Sequence, residues 1–162
     1  MAVQSTYSST LSAAFPGMIA DTGPTTVISR TVEDSDIGFG VPVAQGSDDH
    51  GCTATLTGVT DIVGITVRDQ ATDPSAANQY SEGDTAALLR NGSIWVTVTD
   101  AGGVVPGDPV WVTLSTGAYS NADVGSGNGL KLAGCQWETT GANGALARIR
   151  VNLDVPAVAG AS

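Results

Sequence analysis

Ala87-Leu88-Leu89-Arg90-Asn91-Gly92-Ser93-Ile94-Trp95-Val96-Thr97-Val98 is the stretch whose reading decides the fold. Asn-Gly at the centre of a two-residue loop supplies the positive φ values of a type I′ turn. The spacing therefore predicts a β-hairpin, with strands at Ala87–Arg90 and Ser93–Val98. In the second strand Ile94, Val96 and Val98 face one way, while Trp95, Thr97 and Thr99 face the other. That period of two is the mark of a half-buried strand.

The same period recurs on either side. Val110, Val112 and Leu114 oppose Trp111, Thr113 and Ser115. Ala147, Ile149, Val151 and Leu153 oppose Arg148, Arg150 and Asn152. Val63, Ile65 and Val67 alternate with Gly64, Thr66 and Arg68, and further strand-like runs lie at Thr25–Val32 and Leu130–Trp137. The expected core is Val63, Ile65, Val67, Ile94, Val96, Val98, Val110, Val112, Ile149 and Val151. Between these runs, Asp69–Asp84 reads as a polar surface loop and Ser120–Gly129 as turn. No helical period is sustained anywhere, so the chain reads as all-β, a small β-barrel or β-sandwich.

Composition agrees. Among 162 residues there are 21 glycines, and only 14% are charged. Val and Thr are abundant, and their β-branched side chains suit a pleated surface. The layout divides into an extended N-terminal arm at 1–24, a β-rich domain at 25–153 and a loosely ordered tail at 154–162. In the arm, Leu11, Phe15, Met18 and Ile19 form an apolar patch interrupted by Pro16-Gly17. They either pack on their own domain or dock on a neighbour. Lacking a regular period, they are expected to bury against another chain.

Charge and chemistry exclude several functions. The net charge is −10, which repels nucleic acid, whose binding depends on Lys and Arg neutralising phosphates. No apolar run approaches a membrane span, and the N-terminus lacks the basic and apolar regions of a signal peptide. Cys52 and Cys135 lie in no C-x-x-C pair and read as buried thiols, though two cysteines leave a disulfide open. His50 is the sole histidine, in Gly46-Ser47-Asp48-Asp49-His50-Gly51-Cys52. One His, one Cys and two Asp so close in sequence cannot easily aim at one ion, so this reads as an exposed loop. Glu33, Asp34 and Asp36 lack calcium-loop spacing, and Gly125–Gly129 lacks the Lys-Ser/Thr of a phosphate loop. No catalytic, metal or cofactor site is expected. Trp95, Trp111 and Trp137 sit on the polar-alternating faces of their strands. They form either a second buried layer or an interface, where Trp is enriched as an anchor.

Four segments carry a family resemblance: Ala13-Ala14-Phe15-Pro16-Gly17-Met18-Ile19-Ala20-Asp21, Gly92-Ser93-Ile94-Trp95-Val96, Val105-Pro106-Gly107-Asp108-Pro109-Val110-Trp111-Val112 and Gly144-Ala145-Leu146-Ala147-Arg148-Ile149. In order, they resemble the structural cement, or capsid decoration, proteins of tailed bacteriophages. The resemblance implies a β-tulip-like domain behind an arm, and a virion protein on the exterior of the capsid, made in the bacterial host cytoplasm. It implies the major capsid protein as partner, self-association as a homotrimer at local three-fold positions, and no catalytic residues. On that reading Tyr7, Leu11, Phe15, Met18, Ile19, Trp95 and Trp111 are the candidate interface. Other readings are a different β-rich virion component, in the tail or a head fibre, and a carbohydrate-binding domain using Trp95 and Trp111.

Overall fold

A computed structural model describes residues 14–33, 36–69 and 78–160. Among them there is no helix, and one mixed sheet carries most of the strands. Its spine is β7 (Thr85–Thr97), thirteen residues long. The expected hairpin is therefore corrected: Asn91-Gly92 lies inside one continuous strand. Thr26 pairs with Asn91 but Val27 with Leu89, which leaves Arg90 as the extra residue of a β-bulge. Gly92 follows at φ 134°, a backbone state that favours glycine. A tight turn and a bulge ask for the same residue chemistry, which is why the sequence signal pointed to the wrong one.

The bulge divides β7 between two rings of strands. Its first half joins β1 (Thr26–Val32), β4 (Gly51–Thr53), β3 (Pro42–Gln45) and β5 (Gly64–Thr66). Each of these pairs with the next, and β5 and β1 both pair with β7, so the ring closes. The second half of β7 pairs with β11 (Leu146–Asn152), and β11 with β10 (Gly129–Trp137). From β10 the order continues through β8 (Pro109–Thr113) to β9 (Ala118–Ser120). A bridge between Val98 and Tyr119 returns β9 to the end of β7 and closes the second ring. β12 (Val158–Ala159) lies antiparallel to Leu130 and Lys131 of β10.

Two apolar clusters follow from this division. Val32, Val43, Cys52, Ala86 and Leu88 pack together in the first ring with Ile37, Phe39 and Tyr80. Ile94, Val96, Val98, Val110, Val112, Leu130, Leu132, Ala147, Ile149 and Val151 pack in the second. Leu89 and Ile65 belong to this second cluster, although Leu88 beside them belongs to the first. Along β7, the odd-numbered Leu89 faces the larger cluster before the bulge, and the even-numbered Ile94, Val96 and Val98 face it afterwards. The bulge changes which parity points inward.

Eight of the ten expected core residues are buried; Val63 and Val67 are only partly so and flank the clusters. Within the polar stretch 69–84, β6 (Gln79–Tyr80) pairs with β2 (Ile37–Gly38). Tyr80 is buried there, edge-on to Phe39 at 5.2 Å, and its hydroxyl donates to the Val67 carbonyl at 2.7 Å. One aromatic anchors a segment whose composition reads as loop. Residues 70–77 lie outside the described residues.

Candidate functional site

The sequence around Phe15 positions its site by main-chain pairing. Gly17 N donates to Trp95 O at 2.8 Å, Trp95 N to Met18 O at 3.0 Å, and Ala20 N to Ser93 O at 2.8 Å. Ile19 bridges Ile94. The segment thus lies as a short added strand along the outer side of β7, and Arg68 N donates to Gly17 O at 2.7 Å from the other side. Ala14 is buried, yet Phe15 and Met18 remain 49% and 38% exposed. Phe15, Met18, Ile19, Val67 and Arg68 line one groove. The Arg68 guanidinium sits 4.8 Å from the Phe15 ring centre and 5.3 Å from that of Phe39. It holds Phe15 in place by cation–π attraction without covering it.

Of the candidate interface residues, Phe15, Met18, Ile19 and Trp95 come together through this pairing. Tyr7 and Leu11 lie outside the described residues. Trp111 is elsewhere, on β8, with β10 and β11 between it and β7. Both Trp95 and Trp111 are half-buried. In strand register, Arg148 stands opposite Trp95, and Lys131 opposite Trp111. Those cations are remote in sequence, so only the sheet places them opposite the two Trp residues. Trp137 is different: it is buried in the second cluster, and its indole N–H donates to Ser120 O at 3.3 Å.

The remaining sequence clusters resolve into structural work. Glu33 accepts from Ser47 N at 2.6 Å, Ser47 Oγ at 2.7 Å and Asp48 N at 2.9 Å, and so pins the turn between β3 and β4. His50 is exposed, with its Nδ1 3.2 Å from Arg30 Nη1, whereas Cys52 is sunk in the first cluster. Asp36 accepts from Gln79, and Asp34 lies outside the described residues. Asn128, in the glycine-rich loop, bonds Ser115 through its side chain. No disulfide joins the two cysteines, which are buried in separate clusters. Burial pushes the Cys135 thiol up to about 11 and the Tyr119 hydroxyl well above its ordinary value, with Cys135 adding to the latter. These are consequences of desolvation in a core. Among the described residues, no group of three or more His, Cys, Asp or Glu could hold a metal ion, and no helix is long and apolar enough to cross a membrane.

Comparison with known proteins places this geometry. No curated protein matches the chain. A chain from the capsid of Myoviridae phage XM1 is 22% identical, with a TM-score of 0.70, over 94% of this chain and 98% of that one. It shares the fold. The N base of head fiber gp8.5 of bacteriophage phi29 is more distant, at 13% identity and a TM-score of 0.44 over 80% of this chain and 95% of that one. The model of the family described as structural cement protein (E217 gp24/Pam3 gp6) matches residues 3–152. With a site-poor β body and an exposed apolar patch already established, this chain belongs to the phage structural cement protein family and is a structural protein of the virion.

Proposed function

We propose that the protein is a cement that binds the outer surface of the major capsid protein shell and holds the head together across capsomer seams. It acts as a homotrimer at local three-fold positions. The observation that carries this reading is the family match over 3–152. The exposed Phe15 and Met18 support it, because they sit where the N-terminal arm meets the body. A subunit that offers two or three apolar anchors gains affinity when its copies are linked, since the second contact is intramolecular. No catalysis, cofactor, nucleic acid or membrane belongs to this role. Trp95 and Trp111 stand on strands that do not pair with each other, which favours the cement reading over a carbohydrate-binding one that uses them as a joint platform.

The test is reconstitution. Purified protein is added to shells that lack it, bound copies are located by cryo-electron microscopy, and shell survival is followed on heating. Trimers outside the shell, and survival to higher temperature, are the expected result. A second protein carrying Phe15→Ser and Met18→Ser should fold normally and bind poorly. Density in the tail or inside the head, or shells equally heat-resistant with and without the protein, would overturn the reading.

A further inference from the structure

The chain's surface carries two grooves of opposite sign, one in each ring. In the second ring, β10 pairs with β8 up to Leu132–Val110 and again at Gln136–Pro109. Ala133, Gly134 and Cys135 between them oppose nothing on β8. This wide bulge presses against the end of β11, where a Cβ on Gly134 would come within 2.1 Å of the Asn152 carbonyl oxygen. Beside it opens a groove of about 630 Å³ that includes Asn91, Lys131, Gln136, Arg150 and Asn152 in its lining and, among the described residues, no carboxylate.

Lys131 and Arg150 are two of only six basic residues in a chain of net charge −10. The other four are engaged. Arg30 contacts His50, Arg68 lies over Phe15 and Phe39, and Arg90 is 3.6 Å from Asp154. Arg148 Nε lies 2.8 Å from Glu138, an ion pair too bent to count as a hydrogen bond. Lys131 and Arg150 make no ion pair among the described residues. The groove therefore concentrates the chain's uncompensated positive charge, with amide donors beside it.

In the first ring a groove of about 680 Å³ has the reverse character. Glu33, Asp48 and Glu82 line it, and no cation does. Asp48 and Asp49 stand exposed at the tip between β3 and β4. Glu33 holds that tip by its backbone N–H groups, so it is rigid before it meets anything, and little ordering opposes its docking.

We infer that the Lys131–Arg150 groove of one copy receives the Asp48–Asp49 tip of the next, giving a head-to-tail contact between copies of this chain. A closed cyclic assembly requires two different, complementary surfaces on every subunit. Copies of net charge −10 repel one another unless their contact joins opposite signs. This inference deepens the homotrimer part of the proposed function and rests on it.

Sedimentation of the full chain at low and high salt tests the contact. The wild type should associate at low salt and weaken as salt screens the pairs. A variant with Lys131→Glu and Arg150→Glu, and another with Asp48→Lys and Asp49→Lys, should each lose roughly tenfold or more in association constant while keeping the β-rich circular dichroism. Carrying all four changes in one chain should restore association, which a merely damaged fold could not do. Failure of that rescue would overturn the inference, as would a groove variant that assembles like the wild type or a wild type that stays monomeric. Binding to shells as monomers would overturn it while leaving the cement reading standing. Salt-sensitive assembly without any affinity for shells would do the opposite.

Discussion

Inserting one serine between Asn91 and Gly92 separates the two structures that an Asn-Gly pair can build. If the pair were a hairpin turn, the insertion would merely lengthen a loop. Each doubling of loop length costs only about 0.6 kcal/mol. In the structure, however, Asn91 pairs with Thr26 on one side and Asn152 on the other, and Gly92 to Thr97 continue in register with β11. An added residue there cancels the change of parity made by the bulge at Arg90. Ile94, Val96 and Val98, all fully buried, would turn outward, and Ser93, Trp95 and Thr97 inward, since a slip of one residue flips every side chain of a strand.

Exposing three such side chains costs about 1.5–3 kcal/mol each, or about 5–9 kcal/mol together. That is comparable to the whole stability of an ordinary domain, about 5–15 kcal/mol. The inserted chain is expected to be largely unfolded in buffer. Urea unfolding followed by circular dichroism measures it, with the slope compared to confirm that the same surface is exposed. A loss below about 1 kcal/mol, the scale of loop lengthening, would refute the continuous strand and restore the hairpin.

Glu33→Gln should cost about 1–3 kcal/mol, because the charged acceptor of three hydrogen bonds to Ser47 and Asp48 becomes a weaker one; the shift in urea midpoint reports it. Tyr119→Phe should gain about 1 kcal/mol, since the buried Tyr119 hydroxyl finds no hydrogen-bond partner among the described residues. A loss in thermal unfolding would mean that the hydroxyl is satisfied. Stability should also fall in alkali. The Cys135 thiol is held up to about 11 in the folded chain against an ordinary 9.0, so the folded state keeps the proton more tightly. Its contribution is complete below about pH 9 and is lost as pH rises through about 11, on the order of 3 kcal/mol in all. Cys135→Ala should flatten that alkaline decline, and an unchanged slope would sink the assignment.

Much of the fold was legible because β-strands write their faces into sequence. Ile94, Val96, Val98, Val110, Val112, Ile149 and Val151 are buried as their alternation requires. What alternation could not show was which strands meet. The signal against a hairpin was nonetheless present: Ala86-Ala87-Leu88-Leu89 is apolar at consecutive positions, as a strand buried on both faces requires. Leu88 and Leu89 do enter different clusters. Tyr80 shows the opposite limit, since a single buried aromatic cannot lift a polar window above the look of a loop. For the candidate surface, the apolar character of Phe15 and Met18 was readable. Their seat along β7 depends on main-chain hydrogen bonds, which no side-chain pattern encodes. Lys131 and Arg150 were not readable as a pair, because eighteen residues, a bulge among them, separate two positions that the sheet brings to one groove.

The closed rings bear directly on how such a protein can associate. Among the described residues every strand of both rings has a neighbour on each side, so there neither ring offers the long unpaired edge through which β proteins add strands to one another. The surplus of sixteen acidic over six basic residues adds repulsion between bodies in solution. Backbone pairing and indiscriminate charge attraction are both weak routes to contact for this body, and side-chain surfaces are what remain. The apolar Phe15–Met18 patch and the Lys131–Arg150 groove differ in chemistry, so they can serve different partners without competing. Contact through the apolar patch should persist in salt, while contact through the groove should fade with it. Shell binding by the wild type measured across salt concentrations would separate the two: a salt-resistant component that disappears with Phe15→Ser and Met18→Ser, and a salt-sensitive one that disappears with Lys131→Glu and Arg150→Glu.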